Sequence, residues 1–148
     1  MGLIQKLTNK KIFLDTAPLI YYIEENQHYL KILEKLFSEN SKGKFLFHTS
    51  VITLLEVLVL PMRKKEHQIV EQYQNILCNS PTIEIFDLNI EITISAAGYR
   101  AKYGLKTPDS IQVATAVCSS ADYFLTNDIR LRAVKEIEVL ILDELINA

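Results

Sequence analysis

The chain has 148 residues, a length that favours one domain over two and leaves enough interior to fold without disulfides or a structural metal. Hydrophobic residues make up 49% and charged residues 23%, which excludes a disordered chain. Eighteen acids against sixteen bases give a net charge of −2, so the surface is no general coat for nucleic acid and any such contact has to be local.

The opening residues, MGLIQKLTNKK, are too polar for a signal peptide, and apolar runs such as Val57 to Leu60 are too short to cross a bilayer. A cytoplasmic protein with no membrane segment is expected, folded as one domain over 1–148 with residues 1–10 as a loose N-terminal extension. Cys78 and Cys118 lack CxxC spacing and are expected to be buried thiols, not a disulfide or zinc site.

In chain order, Lys11 to Asp15 is a short apolar run ending on an acid, and it predicts the first strand. Leu19 to Phe37 has Leu30, Leu33 and Phe37 at helical spacing, with a break near Asn26 that divides it in two. Ser41 to Lys44 reads as a loop and Phe45 to Phe47 as the second strand. Ser50 is placed to cap a helix through Leu60, with Pro61 at its end. Glu66 to Leu77 sets Ile69, Tyr73, Ile76 and Leu77 on one helical face. Ser80-Pro81 is a turn, Ile83 to Phe86 a third strand, and Asn89 to Tyr103 a helix. Thr107-Pro108-Asp109 starts another helix, with Thr as cap, Pro in the first position and an acid in the first turn. Tyr123 to Leu125 is a fourth strand, a short helix begins near Ile129, and Val139 to Leu142 is a fifth strand. Short apolar strands alternating with helices predict an α/β fold whose parallel sheet is covered on both faces. Such sheets place functional residues at the carboxyl ends of their strands.

Two of those ends carry acids. Asp15 follows the first strand and Asp128 follows the fourth, in Leu125-Thr126-Asn127-Asp128. Either one alone reads equally well as a turn residue or helix cap. Glu56 is the only charge between Ser50 and Leu60, in a helix expected to be buried all round. A carboxylate there needs a partner, either a metal ion or a Lys or Arg. Asp109 suits the positive end of its helix, and the small residues of Ile111 to Ala116 would bring that helix close to the sheet. Two carboxylates ~4 Å apart repel by about 4 kcal/mol at an effective dielectric of 20. If the four acids converge, they need a cation, and an all-oxygen set suits Mg²⁺ or Mn²⁺.

Together these segments resemble the PIN-domain nucleases, and in particular the VapC-like toxins of prokaryotic toxin–antitoxin pairs. Ile12-Phe-Leu-Asp15-Thr resembles the family's opening strand and first acid, and Ser50-Val-Ile-Thr-Leu-Leu-Glu56 its Ser-led helix carrying the second acid. Pro108-Asp109-Ser-Ile-Gln-Val-Ala-Thr-Ala116 resembles its third-acid helix, and Leu125-Thr-Asn-Asp128 its fourth-acid motif. The resemblance implies a five-stranded parallel sheet between helices, with Asp15, Glu56, Asp109 and Asp128 gathered in one groove as metal ligands and catalytic groups. It implies a Mg²⁺- or Mn²⁺-dependent endoribonuclease leaving 5′-phosphate and 3′-hydroxyl ends. Thr126 would support the site, with Asn127 and Gln112 as further contributors. An RNA substrate, a cognate antitoxin and a homodimer are the implied partners. After Asp128 the chain reads Ile-Arg-Leu-Arg, where such toxins commonly have an aromatic ending.

Arg100, Lys102 and Lys106, interleaved with Tyr99 and Tyr103, suit RNA phosphates and bases, as does Arg63 after the Glu56 helix. The same residues also fit an ordinary solvated surface with tyrosines partly in the core. His28, His48 and His67 have no metal-ligand spacing. An RNA-processing nuclease outside a toxin pair, or a binding module without catalysis, is the alternative to the toxin.

Overall fold

The computed structural model describes residues 2–147. Five strands form one wholly parallel sheet: β1 (Lys11–Leu14), β2 (Leu46–Ser50), β3 (Ile83–Phe86), β4 (Tyr123–Thr126) and β5 (Glu138–Ile141). Their order across the sheet is β3-β2-β1-β4-β5. The chain builds outward from β1 on one side and then crosses to build outward on the other. The switch point therefore lies between β1 and β4, where ligands bind in open parallel sheets.

Alternation along the strands divides the core in two. Ile12, Leu14, Phe47, Leu125 and Leu140 face one side. They pack against α1 (Leu3–Leu7), α2 (Thr16–Ile23), α3 (Leu30–Ser41), α4 (Val51–Arg63) and α5 (His67–Asn79) through Leu7, Leu19, Leu33, Phe37, Val57, Tyr73 and Leu77. Phe13 and Phe124 face the other side, stacked at 5.1 Å, against Val113 and Ala116 of α7 (Thr107–Cys118). The outer helix α6 (Ile90–Tyr103) meets α7 through Ile92, Ala96 and Ala114. The small buried residues Ala114, Thr115 and Ala116 let α7 lie close to the sheet, as their sequence suggests. Gly104 ends α6 in the left-handed conformation, φ 68°, which costs a glycine no Cβ clash, and the chain turns at once into α7.

Several expectations need correction. Residues 2–10 are not loose: α1 buries Leu7 in the main core, with Leu3 and Ile4 packed beside it. The second strand runs to Ser50, because Thr49 and Ser50 are buried with their hydroxyls bonded, Thr49 Oγ1 donating to Leu14 O at 2.9 Å. The α4 helix is not buried all round. Only Thr53, Val57 and Pro61 are buried, while Leu55, Val59, Leu60 and Met62 are exposed. Cys78 is exposed, and Cys118 is half-buried between α7 and α6, its thiol 3.6 Å from Ser95 Oγ. Thr107 is the first residue of α7 and Lys106 its cap; the Thr107 hydroxyl instead accepts from Arg100 Nη1 at 2.9 Å. A short α8 (Leu142–Leu145) follows β5, and a 3-10 helix spans Ile129–Ala133. Among the described residues no helix is long and apolar enough to cross a membrane.

Candidate active site

The site is built at the carboxyl ends of β1 and β4, on either side of the switch point. The Asp15 backbone N–H continues the sheet by donating to Leu125 O at 3.0 Å. Its carboxylate caps α2, with Oδ1 accepting the Thr16 N–H at 2.9 Å. Oδ2 accepts the Thr126 hydroxyl at 2.7 Å, and the same Thr126 oxygen accepts the Asp128 N–H at 3.1 Å. One buried threonine thus ties together the two acids that follow the strands.

Loss of hydration pushes the Asp15 carboxyl above the ordinary carboxylate range. Bonds from Thr126, Thr16 and Gln112 act against that shift, and the Glu56 charge adds to it. Asp109 lies in the first turn of α7 and is also shifted upward, first by burial and then by the Asp15 and Asp128 charges. Asp128 is shifted downward because Arg130 bonds to it. Asp109 therefore sits in the fields of Asp15 and Asp128, and Asp15 in that of Glu56.

Glu56 stands differently from its sequence expectation. It is exposed on α4 and pairs with no Lys or Arg among the described residues; instead Oε1 accepts the Thr16 hydroxyl at 2.8 Å. Thr16, next to Asp15, connects the two acids. Beneath them, buried Gln112 accepts from the Ser50 hydroxyl, donates to Thr53 Oγ1 at 2.6 Å, and has Nε2 at 3.5 Å from Asp15 Oδ1. This polar chain under the acids includes two residues the sequence reading did not single out, Thr16 and Thr53. Their available signal was position: a hydroxyl directly after the strand-end acid, and another three residues past the Ser50 cap in an apolar helix.

Asn127 turns away from the acids. Its Nδ2 donates to Tyr29 OH at 2.9 Å and its Oδ1 accepts the Asp143 N–H at 3.0 Å, which joins the start of α3 to α8. His48 faces α7 and bonds through Nδ1 to Ser119 Oγ at 2.9 Å; burial keeps its pKa down.

The basic residues divide in the same way. Arg100 is held by its own chain, Nε donating to Leu105 O at 2.9 Å and Nη1 to Thr107. Lys102 pairs with Glu136 at 3.0 Å and lies over the Tyr103 ring. Lys106 is exposed and lines a cleft of about 190 Å³ with Asp109, Asp128 and Arg130. Arg63 is exposed at the end of α4.

The donor set fits a hard divalent cation, for it is oxygen-only and includes two carboxylates that burial and like charge disfavour. The ligands are not drawn together, however: among the described residues no three His, Cys, Asp or Glu side chains lie close enough to hold one ion.

The candidate site is thus a set of acids on both sides of the switch point of a parallel sheet. The chain belongs to the PIN-domain family, whose model matches residues 12–137. No curated protein sequence matches it. Solved structures share its fold at low identity. VapBC2 from Rickettsia felis bound to a promoter DNA fragment is 18% identical, with a TM-score of 0.69 over 88% of this chain and 98% of that one. A toxin–antitoxin complex from Klebsiella pneumoniae is 21% identical, with a TM-score of 0.67 over 88% and 97%. VapC20 from Mycobacterium tuberculosis, a Sarcin-Ricin loop cleaving toxin, is 15% identical, with a TM-score of 0.67 over 86% and 98%.

Proposed function

We propose that the protein is a Mg²⁺- or Mn²⁺-dependent endoribonuclease that hydrolyses RNA phosphodiester bonds and serves as the toxin of a toxin–antitoxin pair. The observation that carries this reading is the joining of Asp15 and Asp128 through the Thr126 hydroxyl at the switch point of a PIN-domain sheet, with Asp109 in the cleft beside Asp128. Carboxylates that burial and mutual repulsion disfavour are groups a cation would stabilise, and a bound divalent ion supplies an activated water and neutralises charge at a phosphodiester. Asp15, Glu56, Asp109 and Asp128 are the proposed ligands and catalytic groups.

The chain's own residues supply the geometry. Thr126 and the Thr16 N–H fix the two oxygens of Asp15, and the Thr16 hydroxyl orients Glu56. Gln112, locked by Ser50 and Thr53, prevents α4 and α7 from shifting relative to one another beneath the acids. Lys106, in the cleft with Asp109, is one proposed phosphate contact, and Arg63, exposed at the end of α4, is a second. The proposed products carry 5′-phosphate and 3′-hydroxyl ends.

Two of the similar structures are toxin–antitoxin complexes, which supports a cognate antitoxin as partner. Exposed apolar side chains on α4 (Leu55, Val59, Leu60) and α6 (Ile90, Ile94) are surface that an antitoxin or a second copy in a homodimer would cover. The proposed location is the cytoplasm.

Purified protein is expected to cleave RNA with Mn²⁺ or Mg²⁺, to stop in EDTA, and to lose activity by about 100-fold or more as Asp15→Asn or Asp109→Asn. Undiminished cleavage in EDTA would refute the metal-dependent reading. The pairing of Asp128 with Arg130 favours one other reading, a binding module without catalysis. RNA that is bound yet left intact in Mn²⁺ would select it.

A further inference from the structure

Arg130 meets Asp128 through three contacts. Its backbone N–H donates to Oδ1 at 3.0 Å, Nε donates to Oδ1 at 2.9 Å, and Nη2 donates to Oδ2 at 2.7 Å. Both carboxylate oxygens are therefore taken by one planar guanidinium, the strongest arrangement an Arg–carboxylate pair adopts. The Asp128 side chain is only 26% exposed while that of Arg130 is 71% exposed, so the lid lies on the solvent side of the acid. The short 3-10 helix fixes the spacing: Asp128 caps it, and Arg130 is the residue whose N–H that cap accepts. Asp15, by contrast, is bonded only by neutral donors. Asp109, in the same cleft, has no ion pair among the described residues.

We propose that Arg130 is a built-in competitor of the divalent cation: its fork holds Asp128 out of the ligand set, and Asp128 joins that set only when the cation displaces the guanidinium. The inference rests on the metal-dependent reading above. It accounts for the engagement of both Asp128 oxygens by one guanidinium beside the other acids. An ion that approaches either Asp128 oxygen has to displace a guanidinium N–H from it or share the oxygen with that N–H. Arg130 is thus a positioning residue, acting on the metal through Asp128.

The test is calorimetric titration of the full chain with Mn²⁺, without RNA. Arg130→Gln is expected to bind Mn²⁺ about fivefold more tightly than the unaltered protein, the upper end for a solvent-side ion pair. Arg130→Lys keeps the charge but loses the fork, and is expected to give a smaller gain of about twofold. Lys106→Gln removes a charge from the same cleft without touching Asp128, and should change affinity by less than twofold. In an Asp128→Asn background, Arg130→Gln should leave affinity unchanged, because the competition needs both partners. An Arg130→Gln affinity equal to or weaker than that of the unaltered protein would overturn the proposal. So would an equal gain from Lys106→Gln, or a gain that persists in Asp128→Asn. If neither the unaltered protein nor Arg130→Gln binds Mn²⁺, the metal-dependent reading itself fails and takes the competitor with it. Mn²⁺ binding with no Arg130 effect overturns the competitor alone.

Discussion

The shifted carboxyl of Asp109 has a consequence for stability that can be read without any substrate. Its folded pKa lies above the unfolded value, so the fold favours the protonated form. Stability from this group is fully present below the unfolded pKa and is lost as pH rises through the folded one. At neutral pH the ionised Asp109 is a liability in the metal-free protein. Asp109→Asn is therefore expected to raise the Tm in EDTA by about 1–3 °C at pH 7, with the difference vanishing as pH falls towards about 4. Melts across that range check it, and a lower Tm for the variant at pH 7 would show the carboxylate to be structural. Thr126 is the opposite case. Thr126→Val keeps the shape but removes the hydroxyl between Asp15 Oδ2 and the Asp128 N–H, leaving both without that partner. A loss of about 1–3 kcal/mol in urea unfolding is expected. The Asp15 carboxyl, deprived of a donor to its charged form, should titrate higher still, which moves the acid limb of any pH–rate profile to higher pH. At this scale the acids after the strands were legible because a strand end fixes where a residue stands. The exposure of Glu56 was not legible, because α4 leaves Leu55, Val59 and Leu60 exposed and an apolar composition alone does not bury a helix. Thr16, Thr53 and the Arg130 fork were illegible, since each depends on contacts between segments that spacing does not reveal.

Elements were readable where periodicity and capping agreed. Strand β3 occupies the very residues its apolar run marks, and α6 begins after its Asn89 cap, whose Oδ1 accepts the Ile92 N–H at 2.8 Å. Errors arose where polar residues are buried or elements are short. β2 extends past Phe47 because Leu14 O satisfies the Thr49 hydroxyl. α1 has five residues, too few to show a helical period, and only the core contact of Leu7 reveals its role. Leu7→Ala is therefore expected to cost about 2–5 kcal/mol, a fall in Tm of roughly 5–15 °C. Thermal unfolding checks this. A Tm within a degree of the unaltered protein would mean that residues 2–10 are an extension that contributes nothing to the core.

At the scale of the whole molecule, the strand order β3-β2-β1-β4-β5 turns residues more than a hundred positions apart into neighbours, and it does so on a chain of net negative charge. That combination limits how the protein would hold the proposed RNA substrate. Cations are not spread over the surface in excess, and those nearest the tyrosines of α6 are engaged: Arg100 with Leu105 and Thr107, Lys102 with Glu136. In EDTA Arg130 also stays with Asp128. Lys106 and Arg63 are then the proposed phosphate contacts. Each phosphate neutralised on a single strand contributes about −0.7 to the slope of log K against log salt, so a slope near −1.4 is expected for a short single-stranded RNA. Binding measured between 50 and 200 mM KCl in EDTA would report it. Lys106→Ala should reduce the slope to about −0.7, and Lys102→Ala should leave it unchanged, because that ammonium already faces a carboxylate. A slope steeper than about −4, or an equal effect of the two lysines, would mean that RNA lies across a broad basic surface and not along the cleft of Lys106, Asp109 and Asp128.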